Sequence, residues 1–315
     1  MNKLSNKEFA FMKYRWFVIL TSTALMIASV FLLAKKGLNY GIDFKGGLSL
    51  IYQFEEQLSE KEITQALANK NLPEFTIQKY SATAEENAEQ GFMIRSEVED
   101  KAEALKNKYT KILQEKFGAD KVQLIQEEFV GPSVGKELRT KGIYAIFWAC
   151  IIILVYIGFR FDFYFAPGAI IALIHDVLLS LGAFAITQRE VNLTVVAAFL
   201  TIVGYSINDT IIIFDRIREN IQRYKGRPLA SIIDRSVTQT LIRSILTSLT
   251  VFFVVFILFM LTDGDIQNFS FAMICGVVFG TYSSIFIAAP IFLFFREHGH
   301  RFGIKQKEPR PVKSS

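Results

Sequence analysis

Apolar residues in this chain come in long blocks. Six of them, at 16–34, 143–159, 163–187, 193–214, 241–261 and 269–295, hold few or no charges. A helix rises 1.5 Å per residue, so about 20 predominantly apolar residues cross a hydrocarbon core. The pattern predicts six membrane-spanning helices. Only Arg160-Phe161-Asp162 separates the second block from the third, which is enough for a tight turn. The first block has no small-residue cleavage site before Lys35-Lys36-Gly37, so it reads as a retained helix rather than a signal peptide.

Between the first two blocks the pattern changes. Residues 37–141 are polar overall and too long for a loop, so they are expected to form a domain. Strands are predicted at 47–54, 75–80, 91–96 and 122–129. A helix begins at the capping box Ser59-Glu60-Lys61-Glu62 and runs to about Asn71. A second, charged amphipathic helix spans 98–117 and stops at Gly118. The order βαββαβ predicts a split ferredoxin-like α+β domain, one sheet face under two helices and the other free. That free face, or an exposed edge, suits an extended chain. The stretch Gly131-Pro132-Ser133-Val134-Gly135 reads as a linker back to the membrane. The expected division is therefore 1–36, tail and first span; 37–141, soluble domain; 142–295, five-helix region; and 296–315, basic tail.

Charge sets the orientation. Lys3, Lys7, Lys13 and Arg15 precede the first span. Arg216, Arg218, Arg223, Lys225, Arg227 and Arg235 follow the fourth, and Arg296, Arg301, Lys305, Lys307, Arg310 and Lys313 follow the sixth. With six spans these segments share one side, which the positive-inside rule makes cytoplasmic, both termini included. The acidic turn Thr262-Asp263-Gly264-Asp265 then falls outside with the soluble domain. Composition agrees: 51% hydrophobic residues, 30 Phe and mean hydropathy +0.31 are high for a soluble protein. Cys150 and Cys275 lie in apolar blocks and read as buried free thiols. Three scattered histidines, His175, His298 and His300, make no metal cluster, and no nucleophile–base or phosphate-binding motif appears. No cofactor, metal or enzymatic activity is expected.

The informative chemistry is polar groups inside the spans. An ionisable residue at the bilayer centre costs about 2.5–3.5 kcal/mol on insertion scales, so each needs a reason. Asp209 stands in the fourth span within Gly204-Tyr205-Ser206-Ile207-Asn208-Asp209-Thr210. Helical spacing groups it with Thr201, Tyr205 and Ser206 on a face that must point into the bundle or a wet cavity. It is the leading candidate for taking up and releasing a proton; the alternative is a hydrogen-bonded carboxyl joining two helices. Asp176, mid-span in the third block, is a second candidate. Its neighbour His175 points to another face, so the two are not expected to pair. Arg243 begins the fifth span, near Ser244, Thr247 and Ser248. Asp209 lies only about 7–8 Å from the cytoplasmic end of its helix by helix rise, so an extended Arg243 is within reach. Gly276, Gly280 and Ser284 form a small-residue stripe for close packing.

Five segments together resemble the SecD/SecF family. Gly41-Ile42-Asp43-Phe44-Lys45-Gly46-Gly47 is similar to the family's signature after the first span, and Phe129-Val130-Gly131-Pro132-Ser133-Val134-Gly135 to its entry into the second. Ala172-Leu173-Ile174-His175-Asp176 resembles its third span, and 280–288 its last. The run 204–220, GYSINDTIIIFDRIREN, is the most specific match. Arg243-Ser244-Ile245-Leu246-Thr247-Ser248 is less polar than the family's fifth span.

The resemblance implies half of a twelve-span, proton-driven assembly of the resistance-nodulation-division superfamily in the bacterial inner membrane. It implies SecD as partner, with the SecYEG channel, YajC and a translocating preprotein. It implies use of the proton-motive force to complete preprotein export on the periplasmic side. On it, Asp209, Arg243 and Asp176 are the expected proton-relay residues, with Asn208, Tyr205, Ser206 and Thr247 in support. Gly41, Asp43, Gly46 and Gly47 form the periplasmic signature. The rival readings are a small-molecule exporter of the same superfamily and a membrane scaffold without transport; the first needs a much larger chain, and the second has no need of Asp209.

Overall fold

The structure, a computed structural model, describes residues 9–68, 70–80, 90–98, 102–161 and 164–298. Lys3, Lys7, Asp162, Phe163, His300 and the tail bases from Arg301 onward lie outside the described residues. Six apolar helical segments are long enough to cross a membrane. They are α1 (Arg15–Lys36), α5 (Pro132–Arg160), α6 (Ala166–Thr187), α7 (Leu193–Arg223), α8 (Leu229–Leu261) and a last segment made of α9 (Gly264–Ser283), a π turn (Ser284–Ala288) and α10 (Ala289–His298). Half or more of the most apolar stretch of α6, α7 and the last segment is buried, whereas little of that of α1, α5 and α8 is.

Several helices outrun the apolar blocks. α5 starts at Pro132 rather than at 143, so the expected linker is the helix's first turns. Gly131 is its N-cap and Pro132 its first residue, where a missing N–H costs nothing. α7 continues to Arg223 and α8 begins at Leu229, because amphipathic turns extend helices beyond the apolar core. Hydropathy reports the membrane's thickness, not the helix's length.

The soluble domain follows the expected order. It comprises β2 (Gly47–Phe54), α3 (Glu60–Leu67), β3 (Phe75–Tyr80), β4 (Gln90–Ser96), α4 (Ala102–Phe117) and β5 (Val122–Val130). The sheet order is β3-β4-β2-β5, antiparallel throughout. The capping box forms: Ser59 N–H donates to Glu62 Oε2 at 2.7 Å, and Ser59 Oγ accepts from Glu62 N–H. The Ser59 N–H and the Ser59 hydroxyl, which both donate to Glu62 Oε2, hold that carboxyl below the usual carboxylate range. α3 ends at Leu67, short of Asn71, whose φ of 54° is left-handed. Leu48, Leu50, Tyr52 and Phe54 of β2 pack with Phe92, Ile94, Ile63, Tyr109 and Leu113 in a closed core. Burial pushes the Tyr52 hydroxyl up to about 12, so it stays neutral and meets Thr110 at 2.8 Å.

The second sheet face is covered along its middle strands rather than free throughout as expected, while Gln126 and Glu128 of β5 stay exposed on it. Ile51, Met93 and Arg95, which alternate away from the helices, are all buried, and Met93 reaches Gly264 between α8 and α9. A two-residue parallel ladder the sequence pattern does not announce, β1 (Asn39–Tyr40) with β6 (Glu190–Val191), adds a further tie. Cys275 is buried and Cys150 only half-buried; both are free thiols.

Candidate functional site

α7 is positioned from both its start and its side. Asn192 Oδ1 accepts from Val195 N–H at 2.9 Å, and Asp43 Oδ2 accepts from Leu193 N–H at 2.8 Å. Two orphan donors of the first turn are thereby satisfied. Along its side, the stripe Gly276, Gly280 and Ser284 meets Ile202, Ser206 and Thr210, a second set spaced by four. A Cβ at Gly276 would collide with Ile202, and one at Gly280 would touch Ser206 at 3.0 Å. Ser284 and Thr210 hydroxyls meet at 2.8 Å. Small residues let the two helices close up and bring their polar groups together.

Asp176 sits where α6, α7 and α9 converge, fully buried. Its Oδ2 accepts from Ser206 Oγ at 2.5 Å and Ser283 Oγ at 2.8 Å, and its Oδ1 meets His175 Nδ1 at 3.0 Å. The expectation that His175 and Asp176 do not pair is thus corrected. Their Cα–Cβ bonds diverge, but Nδ1 is the ring nitrogen nearest the backbone, and a short carboxyl curls round to it. The ring of His175 lies 5.9 Å from that of Tyr282, whose hydroxyl meets Ser22 of α1 at 2.9 Å. The result is a polar seam from α1 to α7 in which both carboxylate oxygens of Asp176 are occupied.

Asp209, one turn further along α7, is as deeply placed but loosely held. Its one direct hydrogen bond among the described residues is from Ser248 Oγ of α8 at 3.4 Å. Ser248 Oγ lies closer to Thr281 of α9, at 2.6 Å. The hydroxyls of Ser244 and Tyr205 border the same space without a direct hydrogen bond. Ser206 and Asp209 face inward and Tyr205 is half-buried, whereas Thr201 faces out. Eight residues at 100° each leave Thr201 about 80° from Asp209, too far to share a face.

Arg243 is exposed on α8, in a groove shared with Arg160, Asp215, Arg216 and Glu219. No ion pair joins it to Asp209 among the described residues; Arg160 is the partner of Asp215, at 3.1 Å. Asn208 and Thr247 are exposed too, Thr247 Oγ donating to the Arg243 carbonyl at 3.0 Å. The sequence pattern missed Ser283 as a partner of Asp176, and Thr281 as the closer partner of the Ser248 that reaches Asp209. Their spacing from the small-residue stripe was the available signal.

The glycine signature forms the junction between domain and membrane. Gly41 N–H donates to Val191 O at 3.0 Å, followed by the single-turn helix α2 (Ile42–Lys45). Gly46, at φ 82°, lies against Pro132, where a Cβ would come within 2.8 Å of the backbone. A Cβ at Gly47 would meet Ser96 O at 2.6 Å. Glycine is required here by both close approach and left-handed backbone.

The molecule is thus an integral membrane protein with a soluble sheet domain fastened to helices that bury two carboxyls. Residues 108–298 match the C-terminal domain of the protein export membrane proteins SecD/SecF, and residues 31–57 match the SecD/SecF GG motif. The chain is 41% identical over 292 residues to the protein translocase subunit SecF of Vibrio alginolyticus, covering 92% of this chain and 90% of the relative. It is 38% identical to that of Petrotoga mobilis, covering 89% and 94%. The crystal structure of SecDF from Thermus thermophilus, described as a translocon-associated membrane protein, superposes with a TM-score of 0.80 at 30% identity. The match covers 93% of this chain and 39% of that one, so the chain spans about two-fifths of the SecDF polypeptide. The chain belongs to the SecD/SecF family of protein export membrane proteins, on its SecF side.

Proposed function

We propose that this chain, with SecD, is an accessory subunit of the Sec preprotein translocase that uses the proton-motive force to complete export through SecYEG. The observation that carries the reading is Asp209: a buried intramembrane carboxyl whose one direct hydrogen bond among the described residues is 3.4 Å long. A charged group so placed and so weakly bonded has little structural justification, which favours a group that changes its proton. Loss of its charge would alter its balance with Arg243 and with the Ser248–Thr281 pair, and so the spacing of α7, α8 and α9.

The need for SecD rests on surface chemistry. Thr201, Gly204 and Asn208 of α7 and Arg243, Thr247 and Thr250 of α8 form an exposed polar strip on otherwise apolar helices. The three threonine hydroxyls return to carbonyls of their own helices, which leaves Asn208 and Arg243 as the side chains that lipid cannot satisfy and a partner helix can. That solved SecDF chains are much longer than this one supports a partner half. The sheet order β3-β4-β2-β5 supports a ferredoxin-like class for the soluble domain. Contacts of that domain with the α6–α7 and α8–α9 connections support one shared side. By the positive-inside rule that side is periplasmic and both termini are cytoplasmic, in a bacterial inner membrane. SecYEG, YajC and the preprotein remain partners by family likeness.

The test is preprotein release from spheroplasts carrying wild type or Asp209→Asn, with and without a proton gradient. Gradient-dependent release in wild type, lost in a stably assembled Asp209→Asn, is the expected result. Full activity of the variant would make Asp209 structural and the chain a scaffold.

A further inference from the structure

A second buried charge cluster lies outside the intramembrane core, and the reading above does not use it. Arg95 projects from β4 on the sheet face turned away from α3 and α4, and it is 7% exposed. Its guanidinium meets two carboxylates from two different connections. Nη1 pairs with Glu190, equally buried, in the β6 segment that leads into α7. Nη2 donates to Asp265 Oδ1 at 2.8 Å, in the first turn of α9. Met93, on the same sheet face, lies against Gly264 beside that turn.

One side chain therefore ties the sheet to the starts of α7 and α9. These are the helices that carry Ser206 and Asp209, and Thr281 and Ser283. We propose that Arg95 is a positioning residue, an ionic latch that fixes the direction of the sheet domain relative to α7 and α9. Apolar contact by Ile51 and Met93 holds the domain down without fixing its angle. A planar guanidinium set between two carboxylates does fix it, because its hydrogen bond to Asp265 is directional and its ion pair with Glu190 anchors the other side.

The two halves of the latch differ. Glu190 is enclosed, whereas the Asp265 side chain is 39% exposed. The latch consequently opens first at α9, and a shift of α9 against α7 reaches β4 through this guanidinium. The link to transport rests on the proposed function; the latch itself does not.

The test uses the full chain in lipid nanodiscs, with Cys150→Ser and Cys275→Ala. Spin labels are attached at two exposed positions, Lys79 on β3 and Ile266 on α9. The expected result is one narrow distance distribution, which R95Q broadens and shifts by more than about 2 Å, the scale of a genuine rearrangement. R95E should broaden it likewise, and R95E with D265R should restore the narrow peak. A distribution for R95Q identical to the parent overturns the proposal. If R95Q does not accumulate, D265R alone decides: at the exposed rim it opposes Arg95, and an unchanged distribution overturns the latch. These distances need no transport. A fully active D209N would therefore sink the export reading and leave the latch to be judged by its own result.

Discussion

Asp176 and Asp209 lie in the same helix bundle, little more than a turn apart along its polar interior, yet they are held in opposite ways. Asp176 meets three donors from three residues, on α6, α7 and α9, at 2.5, 2.8 and 3.0 Å. Asp209 has one long bond, from a serine whose closer partner is a threonine. Burial is common to both, so burial does not separate them; the number of donors does. A carboxyl surrounded by fixed donors serves as a joint between helices. A carboxyl with spare acceptor capacity beside a polar, exposed helix face can change its proton without dismantling the packing.

The sharpest way to break this contrast is to neutralise each acid in turn. Asp176→Asn replaces one of two acceptor oxygens with an amide NH2 that cannot accept, so a hydroxyl or ring donor is left facing it. Hydrogen bonds to charged groups are worth about 1.5–3 kcal/mol each, and the thermal midpoint in detergent should fall accordingly. Asp209→Asn should melt as wild type does and lose gradient-dependent preprotein release entirely. Equal melting of the two variants would remove the distinction. A smaller step truncates the donors. Ser206→Ala should cost roughly 1.5–3 kcal/mol by stripping the shortest bond from Asp176. Ser248→Ala removes the neutral 2.6 Å bond to Thr281 and should cost about 0.5–1.5 kcal/mol, less than Ser206→Ala, with its larger effect in transport.

Two carboxylates outside the bundle interior sharpen the scale. Asp43→Ala removes a donor-satisfying cap from the first turn of α7 and should lower stability by about 1 kcal/mol, read by thermal melting. Glu62 gives the smallest effect. Its carboxyl titrates below the ordinary range of 4.5 because the Ser59 N–H and hydroxyl favour the charged form. Its contribution is present above the unfolded value and lost as pH falls through the lower, folded one. Amide exchange at the start of α3 should therefore speed up only in that acidic window, and Glu62→Gln should abolish the pH dependence.

What the sequence made legible follows the kind of signal each feature leaves. Apolar blocks gave six helices, and alternation with a capping box gave the strands and α3 to within a few residues, because these are local properties. The helical turns of α5 before Gly142 were hidden, since their polar, glycine-containing start looks like a linker until Gly135 is seen seated against Gly46 and Phe44. Asp209 was visible as an acid among apolar residues. Its difference from Asp176 was not, because that rests on Ser283 and Ser248, which lie far away in the chain and meet these acids only once the helices pack. The covered face of the sheet was equally invisible: Arg95 reads as an ordinary strand residue, and its partners are 95 and 170 positions away.

The close approach of Gly46 to Pro132 has a consequence of a different sort. Some eighty-five residues of sheet domain leave the membrane region and return to it through backbones that touch. The domain is thus a graft on one stem, interrupting a helical framework whose two cut ends already lie side by side. A lineage can enlarge, trim or exchange such a graft without redrawing the bundle beneath it. Of the tethers described, only those at Met93 and Arg95 lie within the graft and would need to be remade.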